Sequence, residues 1–239
     1  MSTIINNSGI LIQARMSSSR LPGKVLMNIG NLPALALIIK RCQKAEMINM
    51  IIVVTSIHEE DDKIEELAKE HKAQCFRGSL HDVLRRYIDA AEKYAIKQIV
   101  RACGDSPFVL PEIIDESFRQ HIREENDYTN AIDQDVITNG TGVELVTLEA
   151  LNTCYKEGDL KGDREHVTKY IRHNPGEFKY GRYKPKKNKV IKGINLLFDT
   201  REDYEKLIQF VTFLPQNKLL EDISCEDLEL AAVRGANWK

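Results

Sequence analysis

The sequence predicts an α/β fold of Rossmann-like type, an open, mostly parallel sheet with helices on both faces and a small inserted lobe. Three observations predict it. Short apolar, β-branched runs alternate with amphipathic segments of helical period along the first half of the chain. Those runs are apolar at successive positions rather than alternate ones, as in strands covered on both faces by crossover helices. Polar residues with useful chemistry follow the end of each run, where open α/β sheets bind ligands.

In order, residues 9–14 (GILIQA) read as a buried strand. Residues 35–42 carry helical spacing, with Pro33 suited to the first turn. Residues 50–55 (MIIVVT) form a second strand, 61–71 a charged amphipathic helix, and 73–76 a brief strand. A helix over 80–94, a strand over 98–103 and a helix over 111–122 complete the regular part. From about residue 127 the pattern loosens. Residues 126–189, including a basic cluster at 185–189 (PKKNK), are read as the inserted lobe. The chain is expected to re-enter the sheet as a strand over 190–198 and continue as a helix over 202–213, all within one domain spanning 1–239.

With 239 residues, 42% of them hydrophobic, the chain can bury a sizeable core. Its 34 basic and 36 acidic residues leave a net charge of −2. That balance lacks the basic excess of a nucleic-acid binder, so no nucleic-acid partner is expected. The five cysteines (Cys42, Cys75, Cys103, Cys154, Cys225) show neither C-x-x-C nor zinc spacing and are expected to be reduced and mostly buried. The five histidines outside the loosened region's Arg164-Glu165-His166 triplet (His58, His71, His81, His121, His173) are read as surface residues. Residues 1–9 have no basic segment leading into a long apolar one. No run approaches the ~18 apolar residues of a membrane span. The expectation is a soluble, cytoplasmic protein without a membrane partner.

The segment after the first strand is the most informative: Gln13-Ala14-Arg15-Met16-Ser17-Ser18-Ser19-Arg20-Leu21-Pro22-Gly23-Lys24. Small residues let backbone N–H groups approach an anion, and Arg15, Arg20 and Lys24 supply charge for phosphate oxygens. On composition it is either a polyphosphate cradle or a solvated basic loop. It is not a Walker A loop, because Ser18 and Val25 stand where that motif needs Gly and Ser or Thr. Thr55 and Ser56 follow the second strand. Arg77, Gly78, Ser79 and Asp82 form a polar turn that either reads a base or ribose, or caps a helix through Ser79. Asp105 and Asp199 end apolar runs. Each is a Mg²⁺ ligand or a helix N-cap, since both roles favour a carboxylate there. Arg164, Glu165 and His166 lie in the loosened region, where His166 suits an acid or base, an anion ligand or a packing residue.

Five segments together resemble one family: IQARMSSSRLPGKVL (12–26), FRGSLHDVLRRY (76–87), VRACGDSPF (100–108), REHVTKYI (164–171) and FDTREDYE (198–205). They are similar to the cytidylyltransferases that make CMP-sugars from 3-deoxy-manno-octulosonate and sialic-type acids, and within them to the SpsF-like branch named for spore coat polysaccharide biosynthesis. The resemblance implies a GT-A-type nucleotidyltransferase fold. It implies that Arg15 and Lys24 hold the triphosphate of CTP, that Ser17, Ser18 and Ser19 line its loop, and that Asp105 and Asp199 hold Mg²⁺. It further implies that Arg77–Asp82 lies near the base, and that the lobe, with Glu144, Arg164, Glu165 and His166, contributes to recognition of a sugar or sugar-acid acceptor and to a homodimer. Many members carry Gly-x-Asp-x-Glu where this chain has Gly140-Thr141-Gly142-Val143-Glu144. The missing carboxylate leaves the acceptor open.

The implied reaction is attack of an acceptor oxygen on the α-phosphorus of CTP with loss of pyrophosphate, in surface polysaccharide or glycoconjugate synthesis. A phosphorylated small molecule is an alternative acceptor. A glycosyltransferase of similar fold is the alternative enzyme, although Gly104-Asp105-Ser106-Pro107 lacks its usual Asp-x-Asp pair. A non-catalytic nucleotide-binding protein is disfavoured by the joint presence of both basic residues and both aspartates.

Overall fold

The computed structural model describes residues 5–158, 161–187 and 189–235. Residues 159 and 160 of the expected 158–162 turn, and Asn188 of the basic cluster, lie outside the described residues.

Strand β1 (Ser8–Gln13) opens the chain. The small hairpin β2 (Asn28–Ile29) and β3 (Leu32–Pro33) leads to α1 (Ala34–Cys42), for which Pro33 is the N-cap. Then come β4 (Ile51–Ser56), α2 (Asp62–Glu70), β5 (Gln74–Gly78), α3 (Val83–Lys93), β6 (Gln98–Cys103) and α4 (Pro111–Arg123). The later half holds β7 (Tyr128–Ala131), β8 (Val143–Thr147), α5 (Leu148–Glu157), α6 (Lys161–Glu165), α7 (Lys169–His173), β9 (Tyr180–Arg182), α8 (Arg201–Val211) and α9 (Cys225–Arg234).

The main sheet has seven strands in the order β5-β4-β1-β6-β8-β7-β9. Strands β5, β4, β1 and β6 are parallel, and β8 runs against both β6 and β7. The period-2 geometry of a strand sends successive side chains to opposite faces. Ile10, Ile12, Val53 and Val100 accordingly enter one buried cluster with α1, α4 and α8, while Leu11, Ile52, Val54 and Ile99 enter another with α3 and α5. Both faces being covered explains the unbroken apolar runs. Among the described residues no helix is long and apolar enough to cross a membrane.

Three expectations are corrected. The segment 126–189 is not set apart from the sheet, because it supplies β7, β8 and β9. Residues 190–198 do not form a sheet strand: both edges of β6 are already taken by β1 and β8. That segment instead makes a single bridge, Asn139↔Asn195, and a turn at Gly193. His121 is buried, not at the surface, with Thr129 Oγ1 at 2.8 Å and Gln98 Oε1 at 3.1 Å from its ring nitrogens. Burial pushes its pKa down to about 4. The apolar face of α4 decided this, and the charged residues around His121 in sequence masked it.

Candidate active site

The site forms where β1 and β6 end. These strands pair from Ser8↔Gln98 to Gln13↔Cys103, so the loops after them open side by side. Gln13 is retained by the scaffold, its Oε1 accepting from Arg101 Nη2 at 3.1 Å. Beyond it the chain leaves as the basic loop.

That loop is shaped by its own backbone. Met16 O accepts from Ser18 N at 2.9 Å and from Gly23 N at 2.8 Å, closing residues 16–23 on themselves. Gly23 has φ 72°, a left-handed conformation that a Cβ disfavours, and it leads into the single turn Lys24–Leu26. A buried carboxylate anchors the start of the loop. Asp61 Oδ1 accepts from Met16 N at 2.8 Å, and Oδ2 accepts from Thr55 Oγ1 at 2.9 Å, Ser56 N at 3.0 Å and the Ser56 hydroxyl. Burial alone would raise the pKa of this carboxyl. The bonds from Ser56, Met16 and Thr55 outweigh that and hold it below its ordinary value. Thr55 is therefore buried against Asp61. In sequence Asp61 was only the first residue of a charged helix. Ser17, Ser19 and Arg20 are exposed, and Ser18 is half-buried.

Lys24 reaches from the loop to the strand ends. Its Nζ donates to Asp105 Oδ2 at 3.0 Å and to Asp199 Oδ1 at 2.6 Å. Arg20 Nη2 donates to Asp199 Oδ2 at 2.7 Å. The two aspartates thus meet on one cation, each with 22% of its side chain exposed. Neither caps a helix. Leu110 precedes α4, and Thr200 caps α8 in a capping box with Asp203. What places Asp199 is the failed strand: Phe198 N donates to Asp105 O at 3.1 Å, stitching this segment to the end of β6.

The other expected residues divide between rim and scaffold. Arg15 Nη2 lies 3.5 Å from Glu165 Oε1, bringing α6 to the loop. The Arg164 guanidinium stacks 3.8 Å from the Tyr155 ring centre, and His166 is exposed just beyond α6. Arg77 turns toward α2, donating to Ser56 O at 2.9 Å, His58 O at 2.6 Å, Glu65 at 3.2 Å and Asp62. Ser79 Oγ accepts from Asp82 N at 3.0 Å, and Asp82 rather than Ser79 caps α3. Gly78 closes β5 beside this turn.

Glu144, on β8, is only 1% exposed and fully engaged. It accepts from Arg101 Nη1, Arg172 Nη1 at 3.3 Å, Tyr128 OH at 2.6 Å and Thr168 Oγ1 at 2.7 Å. Burial opposes its ionisation, yet Arg101, Arg172, Tyr128 and Thr168 keep its pKa below the ordinary value. Between this centre and Asp105 lies a cavity of about 200 Å³, lined among others by Arg101, Ser106, Gln134 and Asn139. Cys103 also lines it, its thiol pushed up to about 11 by burial, so it carries no thiolate near neutral pH. A Cβ on Gly142 would stand 1.9 Å from Ala131 O on β7. No carboxylate fits at position 142 without moving that strand. A larger cavity, about 760 Å³, lies near α8 and β3 and holds neither the basic loop nor the paired aspartates.

The basic loop and two carboxylates converge at the strand ends of this α/β sheet, and the chain falls in the nucleotidyltransferase class. The chain belongs to the cytidylyltransferase family, whose model matches residues 9–228. It is 30% identical over 213 residues to the spore coat polysaccharide biosynthesis protein SpsF of Bacillus subtilis, covering 85% of each chain. A solved cytidylyltransferase from Leptospira borgpetersenii serovar Hardjo-bovis is similar at TM-score 0.88 and 31% identity, over 97% of this chain and 95% of that one. A CMP:2-keto-3-deoxy-manno-octonic acid synthetase solved with CTP shares the fold at TM-score 0.67 and 14% identity, over 87% and 99% of the two chains.

Proposed function

We propose that the chain transfers the cytidylyl group of CTP to an oxygen of a sugar or sugar acid, with Mg²⁺, for surface polysaccharide synthesis. The observation that carries this reading is Lys24, seated between Asp105 and Asp199 at the mouth of the basic loop. One cation already contacts both carboxylates, so the same pair would hold a divalent ion such as Mg²⁺, which favours oxygen ligands. When bound there, it supplies charge neutralisation at the phosphate under attack.

The chain's own residues do the remaining work. Asp105 and Asp199 would hold the metal, while Lys24, Arg20 and, at the rim, Arg15 would face the triphosphate. The acceptor oxygen, giving up any hydroxyl proton to water, forms a bond to the α-phosphorus as the bond to the bridging oxygen breaks, and pyrophosphate leaves with that electron pair. Lys24, Arg20 and Arg15 hold the charge that builds on it. The cavity beside Asp105 suits the acceptor. Arg101 supplies a positive wall there, and Glu144, which also lines the cavity, holds Arg101 in place. Glu165, paired with Arg15, borders the loop's open side.

Pyrophosphate release with Mg²⁺, CTP and a panel of keto-sugar acids and sugar phosphates tests the reading. Release with CTP and one acceptor class, lost in Lys24→Ala and Asp105→Ala, is the expected result. Release by both variants at the wild-type rate sinks the assignment, and consumption of a nucleotide-sugar without pyrophosphate points to a glycosyl transferase. A homodimer is part of the proposal, and sedimentation at micromolar concentration checks it.

A further inference from the structure

Arg86, on α3, is 0% exposed, yet its Nε and Nη2 have no hydrogen-bond partner among the described residues. Only Nη1 is engaged, donating to Ser79 O at 3.0 Å. Buried donors left unmade are costly, more so on a charged group, and native structures rarely keep them without a use. Nor is the charge neutralised nearby. Burial lowers the pKa of Arg86; Tyr87 and Asp61 oppose that without outweighing it, and Arg15 adds like-charge repulsion. Asp61 is already committed to Met16, Thr55 and Ser56.

The place of these donors matters. Gly78, the last residue of β5, packs directly on Arg86, since a Cβ there would lie 3.0 Å from its Cγ. Ser79, which holds Nη1, is exposed and begins the turn that Asp82 ends. The guanidinium therefore sits at the strand-end edge that carries the basic loop. Nε and Nη2 form one side of the planar fork and present two parallel N–H donors.

We propose that this free side of Arg86 reads the nucleotide base, donating to the adjacent N3 and O2 acceptors of cytosine. Uracil carries a hydrogen on N3, which would face a donor, so the same fork rejects it. This rests on the cytidylyltransferase reading and deepens it: Arg86, not Arg77, selects the base, because Arg77 is spent on α2. Guanine also offers two adjacent acceptors, O6 and N7, so GTP is a necessary control.

Calorimetric titration of the full chain with CTP, UTP, GTP and inorganic tripolyphosphate, each with Mg²⁺, tests it. Wild type is expected to favour CTP over UTP and GTP. Arg86→Met should weaken CTP by roughly 10- to 100-fold, the usual worth of a bidentate base contact, and leave tripolyphosphate unchanged. Where Arg86→Met does not fold, 3-deaza-CTP, which has C–H at position 3, replaces the variant. It should bind wild type at least ~10-fold more weakly than CTP, within the same range. Equal binding of CTP and 3-deaza-CTP, or an unchanged CTP-to-UTP ratio in folded Arg86→Met, overturns the proposal. Arg86-dependent binding of GTP in preference to CTP overturns it too. Tripolyphosphate bound without any base preference in wild type defeats the base-reading role alone, whereas no binding of any triphosphate defeats the cytidylyltransferase reading itself.

Discussion

Two carboxylate centres stand at neighbouring places in the sheet and are built in opposite ways. Around Glu144, two arginines, a tyrosine and a threonine direct donors at one buried carboxylate, which is 1% exposed. Around Lys24, two partly exposed carboxylates share one ammonium, with Arg20 at the edge. The first arrangement is saturated, and breaking it strands charge in a low-dielectric interior. The second is balanced and partly exposed, and under the proposed function a dication and polyphosphate would re-pair every charge without stranding one. A buried carboxylate with all its partners resists change, whereas a partly exposed carboxylate pair sharing one lysine can exchange that partner.

The comparison can be broken or sharpened by substitution. Glu144→Ala leaves Arg101 buried without its counter-ion and should cost about 3–5 kcal/mol in urea unfolding. A loss under ~1 kcal/mol, the worth of an exposed pair, would make Glu144 a rim charge like the others. Lys24→Ala and Asp105→Ala should instead lower turnover by roughly 10²–10³-fold while the urea midpoint hardly moves. A large shift in midpoint would place them with the scaffold.

His121 extends the buried class and adds a pH signature. Its folded pKa of about 4 lies below the ordinary 6.5, so the unfolded chain takes up a proton that the folded chain refuses. Stability is full above pH 6.5, falls as pH drops toward 4, and loses about 3 kcal/mol in all. His121→Gln should flatten that slope in urea unfolding between pH 7.5 and 4.5; an unchanged slope would assign the loss to other groups. The smallest effect is expected from Asp203→Ala. Asp203 Oδ2 accepts from Thr200 N at 2.9 Å and Asp199 N at 3.1 Å, so its loss removes about 1 kcal/mol of cap. Turnover should fall less than 10-fold, within the ~1.4 kcal/mol that one decade represents, and a larger drop would mean that Asp203 also positions Asp199.

Much of this was legible beforehand. β6 lies where its apolar run lay, and α1, α2 and α4 begin within a residue of the expected starts because Pro33, Asp61 and Pro111 mark them. The basic loop and both aspartates were also visible, since their chemistry is local. Residues 190–198 were not legible. Their apolar content suits a strand, but β1 and β8 had already filled the edges of β6. Asp61 and Arg86 were hidden for a related reason: each looks like an ordinary charged helix residue until a strand end is packed against it.

What the sequence determined by itself is therefore the order of elements and the supply of chemistry at the strand ends, both of which depend on residues close together in the chain. The tertiary structure alone decided which charges face one another. It sent Arg77 to α2 and Glu144 to four internal donors, and it brought Lys24 to Asp105 and Asp199. Charge pairing acts through space over a few ångströms, and only the packed sheet brings residues so distant in sequence that close.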